Sequence, residues 1–267
     1  MAGAGIKTIN KRIRSVRSTQ QITKAMKMVS AAKLRRAQEA MFAARPYARK
    51  MMEVLNSLAS RADSDAHPLL EQHTTSGKTL LVVITADRGL CGAFNANIVR
   101  TATRFLAERE RGSVDLALVG RKGRDFFRRR DVRIRSEQVG VYSALRYATA
   151  RTLAAELVTA FTRQEVDEVF LVYNEFKSVI QQRLVVDRLL PIARHALRPQ
   201  EPTMDYLYEP SPQAIFSEIL PKHVEVQVWK ALLESVAAEH GARMTAMDSA
   251  TNNATEMIDR LTLYMNK

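Results

Sequence analysis

Gly77-Lys78-Thr79 has the residue types that close a phosphate-binding loop, in which backbone N–H groups and a lysine cradle phosphates. The residue five before Gly77 is Gln72 rather than glycine, and the β-branched run follows the motif instead of preceding it, so the match fails twice. Gly89-Leu90-Cys91-Gly92 lies between a strand-like and a helix-like run, where dinucleotide folds hold their glycine loop. That fingerprint needs three glycines at set spacing and an acid ending the next strand, but Leu118-Val119 leads to Gly120. A tight turn is the plainer reading. Cys91 is the only cysteine, which excludes an internal disulfide and a cysteine metal cage, and no nearby histidine activates it as a nucleophile. His67, His73, His195, His223 and His240 show no metal-ligand spacing, and neither a Ser-His-Asp set nor a carboxylate pair stands out. The expectation is no catalytic residue, no cofactor and no metal.

Charge is the strongest compositional fact. The 267 residues carry a formal net charge of +13, which implies nucleic acid, an anionic membrane surface or an acidic protein as partner. A basic cluster runs through Arg121, Lys122, Arg124, Arg128, Arg129, Arg130, Arg133 and Arg135, but no interleaved stacking aromatics and no recognisable nucleic-acid module accompany it. Such a run is ordinarily a solvated face, and nucleic acid is not expected. Hydrophobic content of 46% with 26% charged residues reads as a folded, soluble chain. No run of about 18 apolar residues would span a bilayer. The start, MAGAGIK, lacks the apolar core of a secretory signal, so export is not expected.

The elements that position these residues begin with a long basic helix. From Ile6 to Gln38 there is no Gly, no Pro and no acid, against ten Lys or Arg. Apolar residues at Ile6, Ile9, Ile13, Val16, Ile22, Met26 and Val29 step by three and four for the most part, which predicts a coiled-coil seam. The helix is expected to run towards Ser60, roughly 80 Å if unbroken, with Pro46 bending or dividing it. A polar linker follows to Gly77. Strands are expected at 80–85, 115–119, 132–134 and 168–173, alternating with helices at 93–109, 122–130 and 144–163, which predicts an α/β domain with a mainly parallel sheet. The runs 176–180 and 183–187 suggest a hairpin, and 199–212 a proline-rich loop. Helical periodicity then returns from Pro212 to the end, with a second seam at Met247, Ala250, Ala254, Met257, Leu261 and Tyr264. From Glu218 onward seven acids outnumber five bases, so this helix can offset the first one's charge. The expected organisation is 1–60 as an N-terminal coiled-coil helix, 77–211 as a Rossmann-like α/β domain and 212–267 as a C-terminal coiled-coil helix, the two terminal helices packing antiparallel.

Four stretches together are specific. Thr19-Gln-Gln-Ile-Thr-Lys-Ala-Met-Lys-Met-Val29, Thr85-Ala-Asp-Arg-Gly-Leu-Cys-Gly92, Tyr206-Leu-Tyr-Glu-Pro210 and Arg243-Met-Thr-Ala-Met-Asp-Ser-Ala-Thr-Asn-Asn253 resemble, in order, landmarks of the γ-subunit family of rotary ATP synthases. The resemblance implies a non-catalytic central stalk whose coiled coil enters a hexamer of α and β subunits, while its α/β domain sits with the ε subunit on a membrane ring of c subunits. It implies contacts to the α/β head from Lys11, Arg12, Lys24, Met26, Lys27, Met28, Lys33, Arg35, Arg36, Arg88, Cys91, Met247 and Asn252. Of these, Lys11, Arg12, Lys24, Lys27, Lys33, Arg35 and Arg36 are the counterparts of the acidic levers of the β subunits, with the Cys91 loop near them. Tyr206, Leu207, Tyr208 and Glu209 would face the c-ring and ε at the foot. It further implies a peripheral position, not inserted in the membrane, and several more helical turns beyond the position of Lys267. A bacterial origin and the cytoplasmic face of the plasma membrane fit the N-terminus. A lone cysteine leaves no redox dithiol switch. Two other classes make different predictions: a nucleic-acid-binding coiled coil would bind with a steep salt dependence, and a nucleotide-dependent enzyme would need the missing glycine fingerprint.

Overall fold

The computed structural model describes residues 2–59, 67–143, 145–193, 209 and 211–266. Helix α1 spans Ala2–Ala59, followed by strand β1 at Thr79–Ile84, helix α2 at Phe94–Ala107 and strand β2 at Val114–Val119. Helix α3 covers Arg121–Phe127, strand β3 Ile134–Gln138, helix α4 Tyr147–Thr162, and strands β4 and β5 Glu168–Phe176 and Gln182–Leu190. Helix α5, Pro212–Asn266, closes the chain. Five strands form one sheet of order β3-β2-β1-β4-β5, parallel except for the antiparallel pair β4–β5. This is a Rossmann-like sheet joined to two long terminal helices.

Periodicity explains the sheet. Strand β1 is buried at every position because both faces are covered. Leu80, Val82 and Ile84 join α4 and the adjoining ends of α1 and α5, while Leu81 and Val83 join Phe94, Ile98 and Phe105 of α2. Helix α5 runs through the middle and is buried nearly all round from His223 to Glu239, contributing to all three apolar clusters of the molecule. One close approach needs glycine. Gly120 has φ +93, and a Cβ there would lie 2.0 Å from the Thr85 carbonyl oxygen.

Several expectations change. Pro46 does not divide the helix: α1 continues through it. Pro46 is exposed, so the Phe42 carbonyl that loses its helical donor lies on a solvated face. The run 176–180 is not a strand of its own. Strand β4 extends to Phe176, and Ser178 N–H closes a turn on the Gln181 carbonyl before β5. The third strand begins at Ile134 rather than Val132. In the expected linker, Leu69 and Leu70 form a buried 3-10 turn against the core. The proline-rich loop from Pro199 lies outside the described residues apart from Glu209 and Ser211.

The largest change concerns the helix seams. Going down α1, the contact line takes Ile9, Ile13, Val16, Gln20, Thr23, Lys27, Ser30, Leu34, Ala37 and Met41, alternating steps of four and three without a break, with Met26, Gln38 and Ala40 half-buried beside it. Ile22 and Val29 are not in it. On α5 the seam takes Met247, Thr251, Ala254, Ile258, Leu261 and Met265, so Met247, Ala254 and Leu261 are as expected while Met257 and Tyr264 face outward. Polar side chains occupy the displaced rungs, and a search for apolar residues alone steps past them.

Candidate functional site

Two glycine-bearing loops were weighed from the sequence as nucleotide sites and set aside; each is tied by hydrogen bonds within the fold and borders an open cleft, of about 410 Å³ at Gly77 and about 490 Å³ at Gly92. At Gly77 the backbone N–H donates to Asp167 Oδ2 at 2.7 Å, and Ser76 N–H donates to Oδ1 at 3.1 Å. A carboxylate thus occupies the position a phosphate would take. Burial pushes the Asp167 carboxyl up, but the N–H donors from Ser76 and Gly77 outweigh it and hold the group below its ordinary range.

The second loop lies at the carboxyl end of β1, beside the switch point between β1 and β4 where doubly wound sheets take ligands. Here α5 crosses it. Arg243 is buried, pairs with Glu239 at 2.6 Å, and donates from Nε and Nη2 to the Gly89 carbonyl at 3.3 and 3.1 Å. Ala246 stands 3.9 Å from where a Cβ on Gly92 would be. Asn95 completes the loop, accepting from Ala86 N–H at 2.9 Å and donating to the Arg88 carbonyl and Cys91 Sγ. These bonds hold Leu90 at φ +59 with its side chain 64% exposed. For a leucine that backbone is unfavourable and persists only where the surroundings impose it. Cys91 beneath it is buried, and burial pushes its thiol pKa up, away from nucleophilic chemistry.

Along the rod, the residues proposed from sequence divide into three groups. Lys11, Arg12, Lys24, Met28, Lys33, Arg35, Arg36, Arg88 and Asn252 are exposed, with Arg35 paired to Glu39 one turn along. Met26 and Lys27 are half-buried, and Lys27 is paired to Asp248 at 2.5 Å across the two helices. Cys91 and Met247 are turned inward and present no side chain to a partner; each fills the space between α5 and its neighbour. At the foot, Glu209 is exposed, and Tyr206, Leu207 and Tyr208 lie outside the described residues.

The residues expected to form the second half of the α1 seam instead make a surface. Ile22 is 57% exposed, Val29 56% and Met28 61%. With exposed Ala25 and Ala32 they form an apolar stripe beside Lys24, Lys33 and Arg36, none of which makes an ion pair among the described residues. The result is an exposed apolar face flanked by cations. The basic cluster near α3 is different. Arg124 pairs with Asp125, Arg128 with Glu137, Arg133 with Asp115 and Arg135 with Glu165, and Arg130 stacks on Phe126. Its charge is largely answered within the fold.

Sequence reasoning placed Arg243 and Leu90 within specific stretches without giving either a role, and it missed the polar rungs of the seam. Composition signals none of them, because each depends on a contact distant in sequence. Among the described residues no group of three His, Cys, Asp or Glu side chains is placed to hold a metal ion, and no helix is long and apolar enough to cross a membrane.

Comparison with known proteins agrees with this geometry. A family model described as ATP synthase matches residues 5–267. The ATP synthase gamma chain of Geobacter sp. (strain M21) is 54% identical over 266 residues, covering 99% of this chain and 92% of that one. The gamma chain of Solibacter usitatus (strain Ellin6076) is 50% identical over 263 residues, with 97% and 91% covered. Among solved structures, a chain of the central stalk and c-ring of Tetrahymena thermophila mitochondrial ATP synthase superposes with a TM-score of 0.65 at 31% identity, covering 86% of this chain and 99% of that one. A chain of the Euglena gracilis mitochondrial ATP synthase rotor gives 0.66 at 20% identity over 99% and 97%, a likeness of fold.

Proposed function

The chain belongs to the ATP synthase gamma-chain family, whose members form the enzyme's central stalk, and from that premise we propose that it is a non-catalytic rotor coupling a membrane c-ring to the catalytic head. The α1–α5 coiled coil enters a hexamer of α and β subunits, and the sheet domain rests with the ε subunit on the ring. The chain is peripheral and works on the cytoplasmic face of a bacterial plasma membrane. The three-part division at 1–60, 77–211 and 212–267 gives axle, foot and axle.

The observation that carries this reading is the stripe on α1: Ile22, Met28 and Val29 exposed beside Lys24, Lys33 and Arg36. It is the right chemistry for an apolar bearing lined by acidic levers. Lys11, Arg12, Arg35, Arg88 and Asn252 extend the same head-facing surface; Glu209, with Tyr206, Leu207 and Tyr208, is assigned to the foot. A non-catalytic role is supported by the broken fingerprints of the two loops, whose polar groups are engaged within the fold: Gly77 N–H bonds Asp167, and Arg243 bonds the Gly89 carbonyl.

Purification tests it. The pure chain is expected to hydrolyse no ATP and to copurify at moderate salt with an ATP-hydrolysing hexamer of α and β subunits. Robust hydrolysis by the isolated chain would end the proposal, as would preference for DNA or RNA over the hexamer.

A further inference from the structure

Three consecutive polar pairs cross the coiled coil, beside the buried Met247 and Ala254 of α5. Gln20 Nε2 donates to Thr255 Oγ1 at 2.7 Å, Thr23 Oγ1 lies 2.7 Å from Thr251 Oγ1, and Lys27 Nζ meets Asp248 Oδ1 at 2.5 Å. Seven residues forward on α1 are answered by seven back on α5, so the set spans one heptad of an antiparallel pair. We infer that these three rungs fix the axial register of the rod.

The neighbouring rungs are poorly suited to that task. Leu34, Ala37 and Met41 pack with Leu233 and Ala237, a mixture of small and flexible side chains that another register would also accommodate. Polar rungs are selective because a bond of this length has one partner. A slip of one heptad sets Lys27 against Gly241 or Thr255 and Thr23 against Met244 or Ile258. Neither direction offers Lys27 a carboxylate or gives the buried Thr23 a hydroxyl to meet.

The proton count makes the threonine rung directional. Thr23 Oγ1 can donate to the Gln20 carbonyl at 3.0 Å, and Thr251 Oγ1 to the Met247 carbonyl at 2.7 Å. Two hydroxyls hold two protons for three bonds, so the bond across forms only if one threonine gives up the bond to its own helix. Gln20 and Thr255 have no such conflict, since Thr255 accepts across and donates to the Thr251 carbonyl.

The consequence for function rests on the rotor reading. The head-facing stripe at Ile22 and Val29 lies on the same turns as the three rungs, so the register sets where that stripe stands relative to α5 and the foot. The register itself does not depend on that reading, and it is measured in the isolated full-length chain.

Cysteine pairs report it. Continuing the spacing outward by one heptad pairs Val16 with Ile258; the slipped alternatives are Val16 with Met265 and Ile9 with Ile258. In the parent chain the Val16→Cys/Ile258→Cys pair is expected to oxidise at least about tenfold more completely than either slipped pair. Lys27→Glu is expected to raise the slipped pairs, and Lys27→Glu with Asp248→Lys to return them to the parent level. An apolar set, Thr23→Val with Lys27→Leu and Asp248→Leu, is expected to stay helical while losing the preference. If that set does not fold, the charge exchange decides alone, because it keeps all three rungs polar. Slipped pairs that stay at the parent level in Lys27→Glu, or that the exchange fails to suppress, would overturn the inference whether or not the chain is a rotor.

Discussion

His223 shows how burial sets the chemistry of a single residue here. It is enclosed by the α5 core, with 8% of its surface exposed, and burial holds its pKa down at about 4. The unfolded chain takes up a proton near pH 6.5, so between that value and about 4 the unfolded state binds more protons than the folded one. Stability is therefore full above pH 6.5 and is lost as pH falls towards 4, by roughly 3 kcal/mol from this group. His240, also held down at about 4 by burial, adds a second contribution in the same window, so denaturant midpoints measured across pH 4 to 7 are expected to show a slope that His223→Leu reduces but does not abolish. An unchanged slope in the variant would mean that other groups carry the acid sensitivity. The same residue-scale logic separates Cys91 from chemistry and Leu90 from the core: one is buried with a raised thiol pKa, the other is held outward by bonds from Arg243 and Asn95.

At the scale of elements, the sequence is informative where burial is complete and misleading where a face is mixed. Strands β1, β2 and β4 are legible because continuous β-branched runs have no reason to exist outside a doubly covered sheet. The two terminal helices are legible from length and periodicity. Their seams are only half legible. Along α1 the contact line passes through Gln20, Thr23, Lys27 and Ser30, while Ile22, Met26 and Val29 run close beside it. Both lines have helical spacing, and hydrophobicity favours the wrong one. Arg243 reaching Gly89 and Asp167 closing on Gly77 are long-range pairings that no local pattern encodes. The stripe and the seam therefore make opposite predictions. Ile22→Ser with Val29→Ser is expected to leave the isolated chain's stability within about 0.5 kcal/mol while weakening its assembly with the hexamer. Leu34→Ala, in the seam, is expected to cost about 2–5 kcal/mol of stability. Unfolding titrations and copurification on both variants check the pair. A large stability loss from the stripe variant would return those residues to the core.

For the whole molecule, magnitudes decide what the rod must be. Driving a two-state catalytic site from 1:99 to 99:1 takes about 5.5 kcal/mol of differential free energy. An exposed ion pair supplies about 0–1 kcal/mol. On the proposed rotor reading, the cations along α1 would steer and hold the levers, and the work would have to pass through stiffness and an asymmetric shape. The architecture fits that demand. Helix α5 is buried in the foot and continues without interruption into the rod, and the same helix carries Arg243 to the loop at the sheet's edge. On the same reading, torque entering at the foot would have a continuous helical path along α5, against which α1 and its stripe are packed. The most direct measurement is rotation itself: the hexamer is fixed to a surface, a bead is attached to the foot of this chain, and ATP is added. The account predicts stepwise rotation in one direction that stops when the chain is cross-linked to a β subunit, together with turnover. A chain that stays still while hydrolysis proceeds at full rate would contradict it.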